Sequence, residues 1–270
     1  MGVAGLPLSA AGGPLLAAAP SALTITAMEV FTVKVNRRGN WIFVRLKTDR
    51  GLTGLGEASH GGRDTEMETA LGGFFELIRG RSPFEIEAYR QRGRAKANAG
   101  GRLAATAFSA LEQAQWDLAG RALGAPVHAL LGGKLRDELL LYANINRATD
   151  VDRSPAAFAD NARRAVAEGF RAVKAAPFDD FPRLEAAREK LEEFAALGIA
   201  RVEAIRRAIG PEVELLIDVH SHFDRARSID VARRLEPLRL YWYEEPVRPT
   251  QVEDTAAIRA AIPQRLAGGE

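Results

Sequence analysis

The sequence contains no cysteine and only four histidines in 270 residues. The missing thiols exclude disulfides, thiol catalysis and thiolate metal sites, so any metal must be held by oxygen or by imidazole. It lacks a strong charge of either sign: 37 Lys and Arg stand against 35 Asp and Glu, a formal net charge of +2. That balance gives no electrostatic reason to expect a nucleic-acid partner. No uninterrupted apolar run reaches the roughly 20 residues of a membrane-spanning helix, so no membrane partner is expected. The first 22 residues, MGVAGLPLSAAGGPLLAAAPSA, have no charged side chain at all. They are read as a disordered leader or mis-set start, with a degenerate export signal as the alternative; the basic n-region of such a signal is missing. Location is accordingly expected to be cytoplasmic, or periplasmic if that stretch is a signal remnant. A Gly-rich phosphate loop is also missing, which argues against nucleotide binding. What remains, 47% hydrophobic and 27% charged, is the composition of a globular protein.

Two rhythms follow. From Leu23 to Glu57 the chain reads as an antiparallel meander: Thr24–Thr26 with Val30–Val35, then Trp41–Thr48, then Leu52–Glu57, separated by turn residues. Helical periodicity predicts helices over 65–78, 83–94 and 104–123, the last stopped by Gly124 and Pro126. Residues 23–133 are therefore expected to form an α+β domain. From Glu138 onward strands and helices alternate. Strands are expected at 139–143, 170–175, 213–218 and 240–244, with a fifth beginning at 265. Helices are expected at 155–169, 182–209 (in two pieces around Gly198), 225–235 and 252–261. Apolar strands alternating with helices mean a parallel sheet, so residues 134–270 read as an α/β domain built of β/α units.

Three of those strands end in a carboxylate, Asp218, Glu244 and Glu270, each 26 residues after the last. In a parallel barrel the strand C-termini converge on one face, where three carboxylates would repel unless a cation neutralised them. Oxygen-only ligands point to a hard divalent ion, Mg²⁺ before others. Glu245, beside Glu244, leaves the second ligand ambiguous by one residue; strand alternation allows only one of the two to face the ion.

At this point the residues resemble a family. The segment ATAFSALEQAQWDLAGRALGAPVHALLGG (105–133), Asp218-Val219-His220, Tyr243-Glu244-Glu245-Pro246 and Ala267-Gly268-Gly269-Glu270 are together similar to the enolase superfamily, mandelate racemase branch. The resemblance implies a capping domain followed by a TIM-like (β/α) barrel, and Mg²⁺ bound by Asp218, Glu244 and Glu270. It further implies removal of the proton α to a substrate carboxylate, with the enediolate stabilised by the ion. Racemase-type members carry Lys-x-Lys at the end of the second barrel strand; here the chain reads Lys174-Ala175-Ala176, so alanine stands at the base position. Lys174 remains to meet the substrate carboxylate. His220, two residues after Asp218 on the same side of an extended chain, is placed to protonate a departing hydroxide, as in the galactonate and mannonate dehydratases that it resembles; His222 is a rival. His60 falls in a capping loop that the resemblance places near substrate. Arg37, Arg38 and Arg63 are read as solvated surface charge, and His128 as structural.

The expected activity is that of a Mg²⁺-dependent hydro-lyase removing water from a small-molecule sugar acid, in a homo-oligomer. The alternatives are a racemase or epimerase of a 2-hydroxy acid, and a truncated, inactive or merely metal-binding chain. The last arises because an eight-unit barrel usually takes about 250 residues, while five strands are readable here.

Overall fold

The computed structural model describes residues 23–36, 39–149, 151–182 and 188–269. The chain divides between Asp137 and Glu138 into two compact units. The leader (1–22), Arg37, Arg38 and Glu270 lie outside the described residues.

The first unit opens with β1 (Ile25–Asn36), β2 (Gly39–Thr48) and β3 (Thr53–Glu57), an antiparallel sheet in the order β1-β2-β3. The two expected segments at 24–26 and 30–35 are one strand, with an irregular register between Ile25 and Ala27. Ile42, Val44 and Leu46 alternate onto the buried face, as a half-buried strand requires. Against them lie α1 (Asp64–Phe75), α2 (Ile86–Ala99) and α3 (Gly101–Leu123), followed by the short α4 (Val127–Leu130). Leu111, Ala114 and Leu118 of α3 are fully buried, one apolar stripe at helical spacing. Gly124 ends α3 in the left-handed conformation, φ 62°. β3 approaches α3 so closely that a Cβ on Gly56 would lie 2.0 Å from the Ala110 carbonyl oxygen.

The second unit is a five-stranded parallel sheet, in chain order β4 (Ala143–Asn144), β5 (Ala172–Ala175), β6 (Glu214–Asp218), β7 (Trp242–Glu244) and β8 (Leu266–Ala267). Between the strands run α5 (Pro155–Ala167), α6 (Arg188–Ile209), α7 (Arg225–Leu235) and α8 (Val252–Ala261). Ser154 caps α5, its hydroxyl accepting from the Ala157 amide at 3.2 Å, and Pro155 opens the first turn.

Two expectations change. The run 139–143 is strand only at its end. Leu139, Leu140 and Leu141 are exposed and precede the first ladder pair, Ala143 with Val173, so they have no partner strand. The helix expected in two pieces around Gly198 runs unbroken through it from Arg188 to Ile209. There the missing side chain serves packing: a Cβ on Gly198 would sit 2.2 Å from the Phe178 ring.

Alternation divides the sheet residues between two faces. Val173, Ala175, Leu215, Ile217 and Tyr243 join the apolar cluster with the helices. Lys174, Leu216, Asp218, Trp242 and Glu244 stand on the opposite face.

Candidate active site

Asp218 and Glu244 are directly paired across β6 and β7, at the C-terminal ends of both strands. Lys174 comes from β5 on the same face. Its ammonium donates to Asp218 Oδ2 at 2.9 Å and to Glu244 Oε2 at 2.5 Å. All three side chains are nearly out of water, between 2% and 12% exposed. Burial alone would lower the Lys174 pKa; the hydrogen bonds it donates to Glu244 and Asp218 outweigh that effect and raise the pKa above the ordinary value. The Tyr142 ring lies 5.8 Å from the same ammonium, and Trp242 Nε1 donates to Glu244 Oε2 at 2.9 Å.

The one-residue ambiguity at Glu244-Glu245 is resolved by the backbone. Glu244 is the last residue of β7 and faces Lys174; Glu245 turns away at φ 37°. Its carboxylate accepts from the Gly269 amide at 2.9 Å and from the Ser221 hydroxyl at 3.4 Å.

After β6 the chain follows the extension of β7. Val219, Ser221 and Phe223 donate their amides to the carbonyls of Glu244, Glu245 and Pro246 at 3.0, 2.7 and 3.0 Å. This holds His220 and Ser221 at φ 48° and 60°, a left-handed conformation that L side chains disfavour. The His220 ring meets two carboxylates, Nδ1 lying 2.5 Å from Asp179 Oδ1 and Nε2 3.2 Å from Asp218 Oδ2. The hydrogen bond to Asp179, then that to Asp218, raises the His220 pKa to about 10 against the effect of burial, so the ring is an imidazolium at neutral pH. Burial would push the Asp218 carboxyl up; the His220 and Lys174 hydrogen bonds more than offset it and hold the carboxyl at about 2.

Lys174, Asp218, Glu244 and His220 are therefore brought together. Glu270 lies outside the described residues, and among those described no three carboxylates or imidazoles form a metal-holding group. The donor set present nevertheless fits a hard divalent cation. Asp218 and Glu244 offer oxygen only, and three carboxylates (Asp179 included) against one ammonium and one imidazolium leave a negative charge uncompensated. Ala176 is buried, and its amide donates a hydrogen bond to Asn146 Oδ1. In the first unit, His60 Nδ1 lies 3.3 Å from the Thr106 hydroxyl, Arg63 pairs with Glu66 at 3.4 Å, and His128, expected to be structural, is exposed on α4.

Sequence reasoning missed Asp179 and Trp242. Asp179 follows an apolar strand, the signal that marked Asp218, but four residues beyond the strand end and beside a second aspartate, so spacing could not select it. Trp242 was legible only as strand.

Residues 19–132 match the N-terminal domain of the mandelate racemase / muconate lactonizing enzyme family, and residues 157–270 match the enolase C-terminal domain-like family. The chain is 36% identical over 235 residues to a D-gluconate dehydratase of Thermoproteus tenax, covering 85% of this chain and 45% of that protein. It is 31% identical over 231 residues to a D-galactonate dehydratase of Variovorax paradoxus, covering 85% and 58%. The chain thus spans about half the length of these curated relatives. An enolase structure from Agrobacterium radiobacter, with sodium and L-malate bound, superimposes with a TM-score of 0.78 at 30% identity, over 92% of this chain and 61% of that one.

Proposed function

Because this chain belongs to the mandelate racemase / muconate lactonizing enzyme family of the enolase superfamily, we propose that it carries the cation and acid portion of a Mg²⁺-dependent sugar-acid dehydratase. The observation that carries this reading is the His220 ring lying against Asp218, beside a pair of carboxylates whose charge one lysine does not balance. Asp218 and Glu244 would hold the ion, with Glu270 as third ligand. When bound, Mg²⁺ supplies the positive charge that stabilises a carboxylate oxyanion as its α-proton leaves.

Part of the remaining chemistry belongs to this chain's side chains. Lys174 neutralises and orients the substrate carboxylate. Ala176 has no group that takes a proton, so the α-proton goes to another base, and base catalysis through the second lysine of Lys-x-Lys is ruled out. As the electrons of the α C–H bond form the new C=C bond, the β C–O bond breaks. The departing hydroxide takes a proton from His220 and leaves as water. The enol product tautomerises to a 2-keto-3-deoxy acid. The two relatives named for gluconate and galactonate dehydration support aldonic acids as the substrate class.

Incubating the chain with Mg²⁺ and a panel of aldonic and aldaric acids, and measuring 2-keto-3-deoxy acid as its semicarbazone, tests the reading. Product from at least one acid is expected. A complete, folded protein that yields no product from any of them would sink it. Exchange of the α-hydrogen with deuterium without elimination would replace it with epimerisation.

A further inference from the structure

Asp179 stands where an adjacent-strand loop can control the His220 ring. It lies in the segment Phe178-Asp179-Asp180-Phe181 after β5, 41 residues from His220 in sequence. Three contacts fix that segment. Phe178 and Phe181 are buried, and their rings lie 5.0 and 4.9 Å from Phe223, which is three residues past His220. Phe178 also presses on the bare backbone of Gly198 in α6. Asp180 is gripped by the Arg201 guanidinium through two hydrogen bonds of 2.6 and 2.8 Å, and Arg201 in turn donates to the Pro177 and Arg153 carbonyls. The aromatic contacts pack this loop against the His220 loop. Only Asp179 of the four turns its side chain toward the histidine.

We propose that Asp179 is a positioning residue: by accepting from His220 Nδ1, it fixes the ring and keeps Nε2, 3.2 Å from Asp218 Oδ2, turned into the site as the nitrogen that delivers the proton. The proposal rests on the reading of His220 as the acid. Once Nε2 has given its proton to the departing hydroxide, the neutral ring keeps its remaining proton on Nδ1, where the carboxylate accepts it. The ring therefore stays in the single tautomer that is reprotonated at Nε2, with no rotation between turnovers.

The test separates ring state from turnover. Long-range ¹H–¹⁵N spectra of ¹⁵N-histidine-labelled protein at pH 7 resolve four imidazoles, and His220→Gln identifies the relevant one. A hydrogen-bonded Nδ1–H is expected in the wild-type ring, lost in Asp179→Ala and retained in Asp179→Asn, whose amide oxygen still accepts. Asp179 is a third exposed on a loop held by its neighbours, so both variants should still fold and unfold cooperatively, at a lower midpoint where the pair with His220 is lost. Removing the partner of a working imidazole typically costs about 10- to 100-fold in activity, so Asp179→Ala should lower kcat by that factor with KM unchanged, and Asp179→Asn by less. An unchanged His220 spectrum in Asp179→Ala overturns the proposal, as does an altered ring with unchanged kcat. If the wild type dehydrates no acid, the dehydratase reading fails alone, and the spectra still decide what Asp179 does to the ring.

Discussion

Lys174 separates two carboxylates that are largely out of water, so replacing it with methionine leaves Glu244 without a countercharge and Asp218 with the His220 ring alone. Removing one partner of a buried ion pair typically costs about 3–5 kcal/mol. Lys174→Met should therefore lower the urea-unfolding free energy by roughly that amount at pH 7, and Mg²⁺ should restore more stability to the variant than to wild type. His220→Gln should lower the urea midpoint, because the ring's pairs with Asp179 and Asp218 are lost, and should also lower kcat by about 10²–10⁴-fold, the usual contribution of a positioned acid. At this scale alternation along the strands showed that Lys174, Asp218 and Glu244 share a face. His220 was expected on that side of an extended chain; instead the chain leaves β6 in a left-handed turn, and the ring reaches Asp218 from there. Alternation left Glu244 ambiguous with Glu245, and the resemblance alone named Glu244; the left-handed turn at Glu245 is what separates them. Alternation could not find Asp179, since its contact with His220 spans two strands and is set by aromatic packing between loops.

Glycines govern how closely elements approach. Gly56 on β3 touches the backbone of α3 and not a movable side chain, so nothing can yield to a methyl group there. Gly56→Ala should destabilise the first unit by about 1–3 kcal/mol, the usual cost of overpacking, seen as a lowered denaturation midpoint. Gly198→Ala should cost a similar amount and displace Phe178. The order of elements was legible throughout: β-branched alternation gave the meander, and strand–helix alternation gave the parallel sheet. The errors were local. Leu139–Leu141 looked like a strand from apolarity alone, but a strand also needs a neighbour. Gly198 looked like a helix break, because a sequence cannot show that a ring occupies the space where its side chain would be.

At the scale of the whole molecule, stability is distributed over two separate apolar cores, one in each unit. The second is tied to pH through Asp180. Burial alone would raise its carboxyl pKa, yet the Arg201 hydrogen bonds hold it below the ordinary value of about 4. A depressed carboxyl contributes its stability above the unfolded-state value and loses it as pH falls through the folded-state value. Wild type should therefore lose unfolding free energy more steeply than Arg201→Met between about pH 5 and pH 2, measured by urea titration at each pH. Mg²⁺ at about 100 times its dissociation constant should add about 2.7 kcal/mol if it binds the folded chain alone, and Asp218→Asn should abolish that gain.

The left-handed residues at the end of β6 differ in what their strain holds. A non-glycine residue in that conformation gives up roughly 1–2 kcal/mol, and Ser221 at φ 60° has no steric need for its side chain. Ser221→Gly should raise the unfolding free energy by about 1 kcal/mol. His220 at φ 48° carries the same strain, but glycine there would also remove the ring that pairs with Asp179 and Asp218. A thermostability screen blind to turnover would therefore take glycine at position 221 and leave position 220 alone, keeping the acid for the sake of the two carboxylates it joins.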